Sequence, residues 1–185
     1  MTYRSPHLRG KNISLSVALA LLVCFSLPLT AQQSAKPVNW DAYRFLLGDW
    51  VGEGSGDPGR GNGGFTFSLD LHNTVLVRKN YADYPATKDR PAFSHNDLMI
   101  IYQEDGRTKA DYFDNERHVI HYTVSLSNDS TSFAFISNPV GSEPRYRLTN
   151  TKEGTDSIRI TFEIAPPGKP DSFTRYIEAV ARRKK

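Results

Sequence analysis

FLLGDWVGEGSGDPGRGNGG, Phe45 to Gly64, can be read in two ways, and the choice between them decides the fold. Gly54, Gly56 and Gly59 satisfy the G-x-G-x-x-G dinucleotide fingerprint, which needs a strand before the glycines and a helix after them, so that the helix N-terminus meets a pyrophosphate. The strand signal is there, but no helix signal follows. Asp57-Pro58-Gly59 is a turn, and after Gly61-Asn62-Gly63-Gly64 the chain runs into Phe65, Phe67, Leu69 and Leu71, alternating with Thr66, Ser68 and Asp70. Gly52, Gly54 and Gly56 instead recur at every second residue of a strand, which bares one face and lets a sheet bend at a barrel corner. No Gly-Lys-Ser/Thr phosphate loop occurs elsewhere.

Outward from that stretch the same period-two alternation repeats, with Gly, Pro, Asn and Asp between short apolar segments. Ten strands are expected, at about 48–55, 64–71, 74–81, 96–103, 107–113, 117–126, 131–137, 144–150, 156–164 and 172–181. Before them Trp40, Tyr43 and Leu47 sit at helical spacing behind Asn39, a capping residue, which predicts one short helix. Connections as short as Glu104-Asp105-Gly106 favour neighbouring antiparallel strands in up-and-down order. Closing the sheet hides its two edges, so the expected fold is all-β: a single closed antiparallel barrel of about ten strands, wide enough for a ligand cavity.

Arg4, Arg9 and Lys11 precede the apolar run Ile13 to Leu29, and Ala31 precedes Gln32, which reads as a secretory signal peptide over 1–31, a linker over 32–37 and the barrel domain over 38–183. Pro28 and Gln32-Gln33-Ser34 cut the run short of a stable membrane anchor. The expected location is therefore secreted or periplasmic, in a bacterium. Cys24, the single cysteine, lies inside that run, so the segment beyond it has no disulfide, thiol nucleophile or thiolate metal site. The signal segment also holds all of the excess charge, leaving twenty basic against twenty acidic residues, and a neutral balance gives no electrostatic case for nucleic acid.

Leu47-Gly48-Asp49-Trp50-Val51-Gly52-Glu53-Gly54, behind a short helix and at the head of an all-β chain, resembles the first strand of lipocalin-like (calycin) barrels, particularly the nitrobindin-like group in an uncharacterised bacterial secreted family. The resemblance spans Val38 to Arg183. It implies that Gly48 and Trp50 form the barrel base, with Trp50 under an arginine such as Arg182 or Arg175. It also implies a b-type haem on a histidine near the C-terminal strands. No histidine follows His121, so no cofactor is expected here.

Several residues are candidates for chemistry. His95 and Asp97 share a face at the start of a strand, directly after the loop Ala82 to Ser94, where they orient a ligand, act as an acid–base pair, or simply bond to each other. Arg78, Arg145, Arg147, Arg159 and Arg175 fall within expected strands. If some of the five face inward they would bind an anionic group, with Arg145, Arg147 and Arg175 the ligand-binding candidates; facing outward, such arginines would pair with Asp and Glu. His118 and His121, three apart on a strand, point to opposite faces and share no metal ion. Asp111, Asp114 and Glu163 are the remaining carboxylates that could form a pair. No serine sits in a G-x-S-x-G elbow.

The reading favoured is a binding protein for a small amphipathic or apolar molecule. An enzyme acting on a small anionic substrate, with His95 and Asp97 at the cavity mouth, is the alternative, and an interaction protein with a filled interior is the third.

Overall fold

The structure, a computed structural model, describes residues 38–53 and 61–185. The proposed signal segment, Gly54, Gly56 and the fingerprint match lie outside the described residues. Ten strands follow one another: β1 (Gly48–Glu53), β2 (Asn62–Asp70), β3 (Val75–Tyr84), β4 (Phe93–Glu104), β5 (Arg107–Asp114), β6 (Val119–Leu126), β7 (Ser132–Ser137), β8 (Arg145–Lys152), β9 (Ser157–Ala165) and β10 (Thr174–Arg183). Each pairs antiparallel with its neighbours in the chain, and β1 pairs with β10, so the sheet closes on itself. This is a closed, ten-strand, up-and-down barrel of the general lipocalin-like kind.

One hairpin shows how local sequence sets the order. Asp105 and Gly106 both adopt positive φ, the backbone that a tight two-residue connection between β4 and β5 requires, and Glu104 pairs directly with Arg107 across it.

The helix before β1 is a 3₁₀ helix, Asp41–Leu46, and the Asn39 carboxamide oxygen accepts from the Asp41 N–H at 2.8 Å. Three residues per turn bring Trp40, Tyr43 and Leu46 onto one buried face, so the third contact is Leu46 and not the Leu47 expected from α-helical spacing. These three close one end of the barrel. Tyr43 stacks on Phe133 at 4.0 Å, and Trp40 donates its indole N–H to the Asn73 carbonyl at 2.9 Å.

Trp50, 2% exposed, lies on the inner side of this plug and donates to the Leu46 carbonyl at 2.7 Å. The cation above its ring is Arg183, 4.3 Å from the centroid, and neither Arg182 nor Arg175. Strand parity explains the correction: Arg183 pairs with Trp50, Arg182 faces the other way opposite Val51, and Arg175 lies at the far end of β10. Arg183 also donates to the carbonyls of Leu47 and Phe45, which ties the last strand to the helix. Gly48 has φ +110°, and a Cβ there would stand 2.8 Å from the Arg183 guanidinium. Only glycine fits this position without strain.

Above the plug, Phe65, Phe67, Leu76, Met99, Ile101, Phe133 and Phe135 fill the lower lumen. The upper lumen differs. Tyr112, Ile120, Tyr146, Ile160 and Phe162 share the inward parity of that core and pack against it, yet keep partial exposure.

Candidate functional site

The inner face of the β3–β4 pair turns polar as it rises from the plug. Arg78 pairs with Met99, Asn80 with Asp97 and Ala82 with His95, so Arg78, Asn80, Asp97 and His95 stand in one column. Both strands run farther than expected, to Tyr84 and from Phe93, because Tyr84 and Phe93 stack at 4.5 Å and the Ser94 hydroxyl donates to Asp83 at 2.5 Å. The loop shortens from 82–94 to 85–92, and His95 and Asp97 sit inside a strand.

Asp97 is the hub. Its carboxylate accepts from Arg78 at 2.5 Å and from the Asn80 amide at 2.8 Å, and the His95 Nε2 lies at 3.4 Å. Burial alone would raise this carboxyl, but the Arg78 charge and the bonds from His95 and Asn80 outweigh it and hold the group below its ordinary range. His95 is in turn enclosed by acceptors: Nδ1 meets Glu116 at 2.8 Å and Nε2 meets the Tyr112 hydroxyl at 3.0 Å. The bond to Asp97, with Glu116 behind it, raises the imidazole to about 9 against a smaller desolvation effect. Tyr112 donates to Asp114 at 3.2 Å, and burial first, then the charges of Asp97 and Asp114, push its phenol up. Asp114 accepts from the backbone N–H groups of Glu116 and His118 and from the His118 ring at 2.8 Å. Asp97 and Asp114 are thus held toward the ionised form, and both His95 nitrogens are engaged.

Arg145, Arg147 and Arg175 are not brought to this cluster. Arg147 makes a two-pronged bond to Glu163 on the outer face at 2.5 and 2.7 Å and lies 4.3 Å over the Phe173 ring. Arg145 reaches Asp171 and the carbonyls of Ser137 and Pro170, and Arg159 joins Glu153 and Glu178. Arg175 pairs with Glu178; a bulge between Arg175 and Ile177 switches parity there, so that Ile177 faces inward opposite Phe162 and Arg175 does not. An inward arginine lining built from these three is therefore corrected to an outer ion-pair ladder. The lumenal arginine is Arg78.

His118 and His121 each bond to their own carboxylate, Asp114 and Asp111, and Glu163 belongs to Arg147, so the three carboxylates form no pair. Among the described residues no group of three His, Cys, Asp or Glu side chains could hold a metal ion.

Opposite the polar column, β8 to β10 carry aromatic rings. Tyr146 and Phe162 lie near-parallel at 6.0 Å, and Tyr176 meets Phe162 edge-on at 6.3 Å. Tyr84, at the end of β3, is raised by burial first and then by the charge of Tyr176. Beside them a rim groove of about 730 Å³ is lined by Gly61, Asp83, Tyr84, Phe93 and Ser94. A smaller groove of about 330 Å³ lies against β1 to β3, lined in part by Thr66, Lys79, Tyr81 and Lys184.

Sequence reasoning placed Arg78 among five strand arginines without singling it out, and passed over Asn80, Tyr112 and Tyr122. Val75, Leu76 and Val77 are apolar in succession, which hides the inward side of β3 and leaves Arg78 reading like its outward counterparts.

A closed, up-and-down antiparallel barrel of ten strands with a helical plug at its base fits the general lipocalin-like architecture. No family model matches this chain, and comparison with curated proteins finds no relative.

Proposed function

We propose that this chain is an exported binding protein that takes a small amphipathic or apolar molecule into the upper lumen. The observation that carries the reading is the set of inward aromatic and aliphatic side chains, Tyr146, Ile160 and Phe162 among them, left partly exposed above a fully packed base. Concave apolar surface with a few fixed polar groups is what small-molecule sites have in common. Entry is beside the 85–92 loop, where the rim groove opens. The Arg147, Arg159 and Glu163 ladder faces outward, which favours a barrel surrounded by water. Gly48, Trp50 and the helical plug support a place near the nitrobindin-like group.

A b-type haem finds poor provision. His95 is the inward histidine among the described residues, and Glu116, Tyr112 and Asp97 occupy its two nitrogens; His72, His118 and His121 are exposed. The same partners occupy both nitrogens that the alternative enzyme reading would need for proton transfer.

Native mass spectrometry of the chain purified from its expressing cell, compared with the denatured sample, tests the reading. A mass excess that disappears on denaturation supports it. Bare protein that stays bare with haemin and with a mixture of fatty acids and aromatic acids overturns it.

A further inference from the structure

The outer surface of the barrel has two unlike sides. On β8 to β10 the outward positions hold Arg147, Arg159, Glu163 and Glu178, tied into ion pairs, with Thr149 and Thr161 between them. On β3 to β6 they hold an apolar patch instead. Lys79, Leu98, Phe113 and Val119 stand in one cross-strand row, and Val77, Ile100, Asp111 and His121 in the next. Both rows face outward, because the row between them, Arg78, Met99, Tyr112 and Ile120, faces the lumen. Phe113 is 40% exposed and Val119 56%, and Val77, Leu98 and Ile100 lie half-buried beside them. Contiguous apolar surface left in water marks a place where another surface docks.

Charge narrows the partner. Counted over residues 75–126 without the lumenal Arg78, Asp97 and Asp114, Lys and Arg number six and Asp and Glu six. A balanced face sets up no field that would hold a polyanion or an anionic lipid surface. It suits a copy of itself. Lys79, which makes no ion pair among the described residues, lies on β3; Asp111, its side chain 29% exposed beside His121, lies on β5; and the apolar outer side of β4 separates them. A two-fold axis along β4 lays β3 of one copy over β5 of the other, so the charge on each side of the patch meets its opposite twice while Leu98, Ile100 and Phe113 close the centre.

We propose that two copies of this chain pair through the outer face of β3 to β6, with Lys79 of each reaching Asp111 of the other. The pairing is independent of what the lumen holds. Four strands about 4.8 Å apart make the patch roughly 14 Å wide, which is small for an interface, so the dimer forms and parts with concentration.

Sedimentation velocity of the purified protein, over a series from low to high micromolar, tests the proposal, and a monomer–dimer equilibrium is expected. Phe113→Glu should raise the dimer dissociation constant at least tenfold, whereas Thr149→Glu on the opposite side of the barrel should leave it unchanged. Should Phe113→Glu also lower the melting temperature, Val119→Glu, at the more exposed neighbour, repeats the measurement. Lys79→Asp and Asp111→Lys should each weaken the dimer about tenfold, and the two together should restore it, which neither a lost apolar contact nor a loosened fold would do. A monomer throughout the series, a dimer indifferent to Phe113→Glu and Val119→Glu, or a double exchange as weak as the single ones would overturn the proposal. A monomer that floats with phosphatidylcholine–phosphatidylglycerol vesicles would overturn it too and give the face to a lipid surface.

Discussion

Gly48 and His95 show how single positions carry the two ends of the barrel. At Gly48 the positive φ and the close Arg183 guanidinium both exclude a side chain. Gly48→Ala is expected to cost about 1–3 kcal/mol, read as a lower urea midpoint. At His95 the folded-state value, about 9, lies above the ordinary 6.5, so the stability it contributes is complete below 6.5 and is lost as pH rises through 9. The urea midpoint should therefore fall across that window in the native protein and stay level in His95→Gln; a level profile in both would show that the imidazolium adds nothing. The Arg78–Asp97 pair makes a sharper contrast. Arg78→Met alone strands a buried carboxylate and should cost about 3–5 kcal/mol, whereas Arg78→Met with Asp97→Leu should recover most of that in equilibrium denaturation.

Among the elements, β10 depends most on one terminal side chain. Arg183 joins the strand to two carbonyls of the plug and to the Trp50 ring, so Arg183→Met should lower stability by about 2–4 kcal/mol, with Trp50 fluorescence shifting to the red as the base loosens. The strands themselves were largely legible: β2 and β9 alternate cleanly, and their expected spans differ from the structure by one or two residues. β3 and β4 were read short because their upper ends continue through Asp83, Ser94 and His95, which with Asn80, Asn96 and Asp97 make a polar run that masks alternation. That masking is itself the site, since the inward half of those residues forms the column. His95 and Asp97 on one face were legible, but the rest of the cluster was not: Tyr112 reaches it from β5, and register across a barrel depends on stagger that no single strand encodes. The bulge in β10, which turns Arg175 outward, leaves no more trace in the sequence.

For the molecule as a whole, closure is the property that every strand serves. A chain truncated after Ser172 lacks β10 and leaves the facing edges of β1 and β9 unpaired, so it should elute from a sizing column as aggregate where the complete chain gives a discrete species. Closure between the first and last strands also fixes where the ends of the domain emerge: the start of β1 and the end of β10 lie together at the plugged base, as the Arg183 bonds to Phe45 and Leu47 require. The domain is therefore a natural subject for circular permutation. Joining residue 185 to residue 38 through a short linker and opening the chain at the exposed Asp105-Gly106 turn, on that same base, would leave all ten ladders paired. A carrier or surface tether fused to either native end would likewise hang from the sealed pole and leave the mouth unobstructed.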